Sequence, residues 1–364
     1  MVHDEKPAWG RGRIRFGLGN LGAGALALAF GLGAVLAVGG PLAGGAAASA
    51  ASNGSLTLYS GQHVQTTQAL VNGFEKKTGI TVNIRSEDED VMADQIVTEG
   101  ARSPADVFFS ENSPPLQFLA SKGLLAPVAP STLAKTPSRF NSPQGKWVGI
   151  SARVSVLVYN TKLLTASQLP KSAMDLAKPA WKGKLAIAGG ETDFQPIVTS
   201  IARTYGNATA LSWLKAVKAN AGGSHSYPDN ETLAAEVNQG QAAIGIINGY
   251  YWYRERAEVG AGNMHSAIAY FAPHDVGYVV DVSGAGILRS STHKAAAQQF
   301  VAYLNSEAGQ EIIAHSQSWE YPVGSGVQRT GETPFDQLQP NSITIAQLGT
   351  GAGAIKLLQE AQIL

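Results

Sequence analysis

The chain contains no cysteine among its 364 residues. This excludes disulfides, thiolate zinc sites, cysteine nucleophiles and iron–sulfur clusters, and also a lipid-modified N-terminal cysteine. An excess of charge of one sign is lacking as well, because 27 basic residues balance 27 acidic ones. Such a balance gives no electrostatic footprint for nucleic acid. The sequence also has no Gly-x-Ser-x-Gly, P-loop or His-Glu-x-x-His motif, which removes the usual indications of a serine hydrolase, an NTPase or a zinc protease.

The composition is that of a folded protein. Apolar residues make up 44% of the chain and charged residues only 15%, which argues against disorder. A chain of this length can hold two lobes, each with its own core.

The first fifty residues have the pattern of a secretory signal. A basic segment, Arg11–Arg15, precedes an apolar stretch from Phe16 to Leu42, and Ala48-Ser49-Ala50 fits a cleavage site. We expect residues 1–50 to direct export across the cytoplasmic membrane, to the periplasm or the cell-surface space. The apolar stretch is also long enough for an uncleaved anchor, although its many glycines and Pro41 favour cleavage.

Strand and helix patterns alternate after the leader. Predicted strands and helices follow one another in the order Leu56–Ser60, Gln65–Lys77, Thr81–Ile84, Val91–Glu99, Ala105–Phe109 and Pro115–Ser121. This βαβαβα order predicts a largely parallel sheet with right-handed crossovers. Residues 126–143 are rich in proline, serine and threonine and are predicted as loop.

Two further segments are suited to cross between lobes. Trp147–Asn160 is a long predicted strand, and Val276–Val282 with Ala285–Leu288 gives the return crossing. We therefore predict an α/β clamshell with a ligand cleft and two hinge-crossing strands. Lobe 1 would comprise residues 55–150 and 283–325, and lobe 2 residues 151–282 and 326–364.

The most informative local feature is the pair Tyr250-Tyr251, where an apolar strand runs into a helix. Each buried hydroxyl needs a partner, so two adjacent phenols are a costly choice for a core. Phenolates are hard anionic donors that suit Fe(III), and a helix starting at the pair favours the phenolate form. The alternative interpretation is a half-buried aromatic corner.

Two other candidate ligands occupy the same kind of position. His63 and Glu111 each follow a short apolar strand, and open α/β sheets bind ligands at the carboxyl ends of their strands. Taken alone, either residue could be a loop residue without function. Because both occupy the same kind of position as the tyrosines, we favour a single site that contains all four.

The chain resembles the periplasmic ferric-iron-binding proteins of ABC importers from about Leu56 onward. The resemblance rests on four phrases: Tyr59-Ser60-Gly61-Gln62-His63, Arg102-Ser103-Pro104-Ala105-Asp106-Val107-Phe108, Ile247-Asn248-Gly249-Tyr250-Tyr251-Trp252 and Glu320-Tyr321-Pro322. It implies the type II periplasmic-binding-protein fold. It also implies that His63, Glu111, Tyr250 and Tyr251 bind Fe(III), with an exogenous anion often completing the shell.

The same resemblance implies where such an anion, carbonate or phosphate, is held. Asn230 and Asn248 match positions that face the anion, and Thr192 and Arg153 are further candidate contacts for an anion or a water. The stretch Gly189–Phe194 departs from the expected small polar pattern through its two acidic residues. These would repel an anion unless they point away, which leaves carbonate, water or a direct acidic contact as alternatives.

We expect a non-enzymatic, monomeric Fe(III) carrier that delivers its cargo to an ABC permease. One alternative keeps the fold and replaces iron by a small anion or organic solute. Another is a secreted non-haem iron enzyme, but such oxygenases present two histidines and one carboxylate, whereas this set has one histidine and two phenols.

Overall fold

The computed structural model describes residues 54–364, so the leader predicted over residues 1–50 lies outside the described residues. The strands are β1 Ser55–Ser60, β2 Thr81–Ser86, β3 Val107–Ser110, β4 Leu125–Ala126, β5 Trp147–Asn160, β6 Leu185–Ala186, β7 Ile244–Asn248, β8 Ser266–Ala269, β9 Val280–Leu288 and β10 Tyr321–Pro322. The α-helices are α1 Val64–Thr78, α2 Glu89–Glu99, α3 Ser113–Ser121, α4 Pro130–Leu133, α5 Gln195–Tyr205, α6 Asn207–Ala221, α7 Asn230–Gln239, α8 Gly249–Val259, α9 Lys294–Leu304, α10 Glu307–His315, α11 Ile345–Leu348 and α12 Ala352–Glu360. Within this range no helix is both long and apolar enough to span a bilayer.

The strands join into one mixed sheet in the order β2-β1-β3-β9-β5-β7-β6. Strands β1, β2 and β3 are parallel, as their alternation with helices predicted. Strand β9 lies antiparallel to both β3 and β5, and β7 lies antiparallel to β5 and parallel to β6. The carboxyl ends of β1, β3 and β7 are therefore available to carry ligands.

Strand β5 connects two parts of this sheet. Its first half, Trp147–Val154, pairs with β9, and its second half pairs with β7 on one side and β8 on the other. A register shift between Gly149 and Ser151 marks a bulge near its start. The long crossing strand predicted from the sequence is thus present with the predicted bounds.

Two predicted segments differ from the structure. The return crossing is one continuous strand, β9, and not two, and Val276 lies outside it. The preceding residues turn instead, because the Asp275 side chain accepts a hydrogen bond from the Gly277 amide at 2.8 Å and its carbonyl accepts one from Tyr278 at 2.9 Å. The predicted loop over residues 126–143 contains the short helix α4, which a proline begins.

Buried apolar side chains cover both faces of the sheet. Helix α1 turns Leu70 and Phe74 inward, and the Phe74 ring packs edge-on against Phe300 of α9 at 5.1 Å between centroids. Around α6, the Trp213 ring stacks on Phe194 at 5.9 Å. Residues 54–364 lie within one compact unit, and the boundaries proposed between two lobes stay a prediction.

Candidate metal centre

Each of the four predicted metal ligands follows a strand of the sheet. His63 lies three residues beyond the end of β1, at the start of α1, and Glu111 comes directly after β3. Tyr250 and Tyr251 open helix α8, directly beyond β7. The placement predicted from the sequence is therefore the placement in the structure. Val64, the neighbour of His63, is 59% exposed, so the α1 end of the site borders the surface.

These four side chains meet at one point. The Tyr250 hydroxyl donates a hydrogen bond of 2.5 Å to Oε1 of Glu111, and Nε2 of His63 lies 3.6 Å from the same oxygen. The two tyrosine rings are 4.1 Å apart between centroids, and the His63 ring meets Tyr250 edge-on at 5.3 Å. Nε2 of His63 is buried and has no hydrogen-bond partner among residues 54–364. A buried imidazole nitrogen without a partner fits a metal-binding role.

Asp193 adds a second carboxylate at the hydroxyl groups of the tyrosines. Its Oδ2 accepts hydrogen bonds from the Tyr250 hydroxyl at 3.1 Å and the Tyr251 hydroxyl at 2.8 Å. Its Oδ1 is buried without a hydrogen-bond partner in the described part of the chain, and lies 3.5 Å from Nη1 of Arg153. Asp193 therefore faces the phenols and does not point away from them. Of the three alternatives for this stretch, the geometry favours the direct acidic contact.

Arg153 is the buried cation of the site. Its Nη1 lies 3.0 Å from Oε1 of Glu111, and its guanidinium lies over the Tyr250 ring at 5.3 Å. Nη2 forms an ion pair with Glu320, which also accepts a hydrogen bond from the Ser151 hydroxyl at 2.6 Å. Burial acts to lower the pKa of Arg153, but the charges of Glu111 and Asp193 outweigh it and raise that pKa. The arginine therefore stays charged among the carboxylates.

Burial also sets the protonation of the candidate donors. It raises the pKa of Tyr250 and of Tyr251 well above 10, and the charges of Asp193 and Glu111 add to the rise. Burial lowers the pKa of His63 well below 6.5, helped by the nearby Arg254. Without a metal, both phenols are protonated at neutral pH and the imidazole is neutral.

Of the remaining predicted contacts, Asn230 lies against Asp193. Asn230 donates from Nδ2 to Oδ2 of Asp193 at 3.4 Å, and Asn248 is buried as the last residue of β7. The Thr192 hydroxyl donates to Oδ2 of Asp90 at 3.1 Å, so it bonds toward α2. Thr192 thus ties the Asp193 segment to the start of that helix.

Two acidic residues of the site, Glu320 and Glu89, were not predicted as part of it, and Asp193 was predicted only within one of three alternatives for its stretch. Carboxylate oxygens of Glu111 and Glu320 lie within 4.8 Å of a His63 nitrogen, a spacing compatible with metal binding. The one sequence signal for Glu320 was that Glu320-Tyr321-Pro322 is among the phrases that carry the family resemblance. Residues 87–90 form an acidic run of the kind that is usually solvated, but Glu89 is only 6% exposed, because its carboxylate bonds to Ser110 and Asn112.

Comparisons with known proteins show which proteins the chain is similar to. A family model for bacterial extracellular solute-binding proteins matches residues 60–311. The Fe(3+)-binding periplasmic protein of Serratia marcescens is 38% identical over 324 residues, which cover 89% of this chain and 94% of that protein.

Solved structures of iron-binding proteins superpose on this one. Iron-bound HitA from Pseudomonas aeruginosa matches with a TM-score of 0.80 and 42% identity, covering 84% of this chain and 99% of that one. A Trichodesmium protein solved in complex with iron and citrate ligands matches with a TM-score of 0.73 and 31% identity, over 84% of this chain and 99% of its own.

Proposed function

Since the chain belongs to the bacterial extracellular solute-binding proteins, we propose that it is an extracytoplasmic Fe(III)-binding protein that captures ferric iron in a cleft and delivers it to an ABC permease. The type II periplasmic-binding-protein fold predicted from the sequence is confirmed by its structural neighbours. One observation carries the proposal: His63, Glu111, Tyr250 and Tyr251 converge on one buried point from three strand ends.

The donor chemistry selects a hard trivalent cation. Two phenolates and a carboxylate supply three negative charges, and hard oxygen donors suit Fe(III). Buried phenols whose pKa is raised ionise only where a strong Lewis acid replaces their protons, which disfavours weakly acidic divalent ions. His63 then contributes a neutral nitrogen without losing a proton.

We propose Asp193 as a fifth protein donor, acting in place of an exogenous carbonate or phosphate. Its carboxylate already contacts both tyrosine hydroxyls and carries an unpartnered oxygen within the described residues. Octahedral iron then keeps one position for a water or a small anion. Of the residues predicted to contact that ligand, Arg153 and Asn230 also hold Asp193, so both could orient the ligand and the carboxylate together.

The two alternative functions fit the site less well. An organic solute needs room and an apolar or arginine-lined cleft, whereas here carboxylates and phenols contact one another directly. A non-haem iron oxygenase needs open positions beside two histidines and a carboxylate, and the donors of this centre among residues 54–364 include one histidine, His63. We therefore propose a carrier and no catalytic role.

Location and partners follow from the same proposal. The relative from Serratia marcescens is named as periplasmic, and the leader predicted over residues 1–50 supplies the export signal. We propose a monomeric protein in the periplasm or cell-surface space that meets its permease at the outer face of the cytoplasmic membrane.

Metal analysis and a visible spectrum of the purified mature protein test the function. We expect one iron per chain and a phenolate-to-iron charge-transfer band, with no turnover of oxygen. A colourless protein that takes up no Fe(III) from a soluble chelate would overturn the proposal. Oxygen consumption on a reduced substrate would favour the enzyme instead.

A further inference from the structure

The Glu89 carboxylate is hydrogen-bonded to both sequence neighbours of the proposed ligand Glu111. Its Oε2 accepts hydrogen bonds from the Ser110 hydroxyl at 2.7 Å and the Asn112 backbone amide at 2.6 Å. Its Oε1 accepts one from Nδ2 of Asn112 at 2.9 Å. One carboxylate thus accepts three hydrogen bonds and fixes the loop that begins where β3 ends.

The same residue also packs against the segment that leads to His63. A Cβ added to Gly61 would lie 2.4 Å from Cβ of Glu89, so the two backbones approach closely because Gly61 has no side chain. The Gly61 amide in turn donates to the Phe109 carbonyl of β3 at 2.8 Å. The first residue of α2 therefore touches the segments that carry two proposed ligands.

Filling space in the core does not explain why a glutamate stands at position 89. Burying a carboxylate is costly, and an apolar side chain would fill the same space without that cost. What an apolar residue cannot do is hold the Ser110 hydroxyl and both Asn112 donors at once. Asp90, the next residue, accepts a hydrogen bond from the Thr192 hydroxyl. The same helix turn therefore also contacts the segment of Asp193.

We propose that Glu89 is a positioning residue for iron binding: it holds the loop of residues 110–112 so that the Glu111 carboxylate stays directed at the metal. This inference rests on the proposed function, since it assigns a role within the same site. Residues that orient metal ligands from behind commonly change metal affinity by about 10- to 100-fold.

The test compares Glu89→Ala and Glu89→Gln by competition for Fe(III) with a soluble chelator. We expect the alanine variant to bind iron at least about tenfold more weakly. The iron affinity of the glutamine variant should stay within about threefold of that of the parent. Its side-chain oxygen can still accept hydrogen bonds from the Ser110 hydroxyl and the Asn112 backbone N–H. The Asn112 side-chain amide can rotate so that its oxygen accepts from the new NH₂ group. Oδ1 of Asn112 has no hydrogen-bond partner in the described chain, so this rotation breaks no hydrogen bond of that oxygen. Equal losses in both variants would overturn positioning in favour of a simple charge effect.

A double-mutant cycle with Glu111→Ala separates positioning from support of the fold. If Glu89 acts through Glu111, the loss caused by Glu89→Ala should largely vanish when Glu111 is already alanine. Fully additive losses would overturn the inference. Glu99→Ala is the matched control, because Glu99 ends the same helix and bonds to Tyr59 and Ser103 instead. It should leave iron affinity unchanged.

Asn112→Ala keeps the inference testable if Glu89→Ala does not fold. It removes one of the three donors and keeps the backbone amide contact, so we expect a smaller loss of affinity that again disappears in the Glu111→Ala background. An unchanged affinity for Asn112→Ala, or a loss that is fully additive with that of Glu111→Ala, would overturn positioning. A parent protein that binds no iron would instead overturn the proposed function, so the two failures are distinguishable.

Discussion

The hydroxyl of Tyr250 donates a 2.5 Å hydrogen bond to Oε1 of Glu111, a residue 139 positions earlier in the chain. Without a metal, one proton lies between two groups that we propose as ligands of the same ion. A carboxylate that accepts from a protonated phenol stabilises the protonated form and raises the phenol pKa, together with burial. Iron must displace this proton, so metal binding and proton release are coupled at this contact.

Replacing either tyrosine by phenylalanine should change the colour of the iron-loaded protein. Tyr251→Phe should bleach or shift the charge-transfer band and weaken iron binding by at least about tenfold, because it removes a phenolate donor. Tyr250→Phe should do the same and also break the contact to Glu111. Absorption spectra and chelator competition measure both effects.

Tyr253→Phe is the control for these variants. Tyr253 lies on the same helix but stacks on Trp319 at 5.3 Å, away from the carboxylates of the site. Its variant should keep the colour. Unchanged spectra in both Tyr250→Phe and Tyr251→Phe would remove the tyrosines from the site.

Asp193→Asn should create a requirement for an added anion. The parent protein should bind Fe(III) in buffer freed of carbonate and phosphate, since Asp193 supplies the carboxylate. The variant keeps the shape and loses the charge, so its affinity should fall by about tenfold or more and recover in part when carbonate is added. Asp229→Asn, which retains the N-cap of α7, is the control. Equal dependence on carbonate in parent and variant would mean that Asp193 is not a donor.

Iron affinity should fall as the pH falls. The pKa of both phenols is raised above 10 in the folded protein, so each carries a proton at pH 7.5 that iron must displace. The pKa of His63 is lowered, so the imidazole adds no proton release near neutrality. We therefore expect about two protons released per iron, and a binding constant that rises about a hundredfold per pH unit.

Calorimetry in buffers of different ionisation enthalpy counts these protons directly. Tyr251→Phe should release about one proton fewer than the parent, because one phenol is gone. His63→Ala should weaken binding but keep the colour and the proton count, and Glu111→Ala should also keep the colour. An affinity that stays flat between roughly pH 7.5 and 5 would rule out the proposed ligand set.

Iron should make the particle more compact. His63 and Glu111 precede the crossing strand β5, while Asp193 and the tyrosines follow it, so one ion joins segments on both sides of that strand. Such an ion favours the closed arrangement through its differential affinity. Small-angle scattering should show a smaller radius of gyration with iron, and no change for the Tyr250→Phe, Tyr251→Phe double variant. Identical profiles for the parent, with iron confirmed bound, would contradict closure.

Much of the scaffold could be predicted from the sequence because its signals are local. Alternating apolar patterns gave β1 to β3, α1 and the full length of β5, since strand and helix periods are properties of neighbouring residues. The four predicted ligands could be placed at strand ends for the same reason. Strand β9 was predicted to begin too early, because the turn at Asp275 interrupts an apolar run that looks extended.

The rest of the site depends on side-chain directions that no local pattern encodes. An aspartate beside a helix start equally fits a cap, so only the structure shows Asp193 against the phenols. Glu320 reaches Gln62 across 258 positions, at 3.1 Å between Oε2 and Nε2. Glu89 lies in an acidic run that looks solvated, and the close approach of Gly61 to it is not encoded by any local pattern.

The exposed Val64 beside His63 is a suitable position for attaching a fluorescent label. Because the chain has no cysteine, Val64→Cys would supply a single thiol at a position that is 59% exposed and adjacent to a proposed ligand. A fluorophore attached there would lie close to a paramagnetic, coloured ion whenever the site is filled. Its emission should be quenched by ferric iron, so one substitution and one dye would turn this carrier into a reagentless fluorescent sensor for the metal in solution.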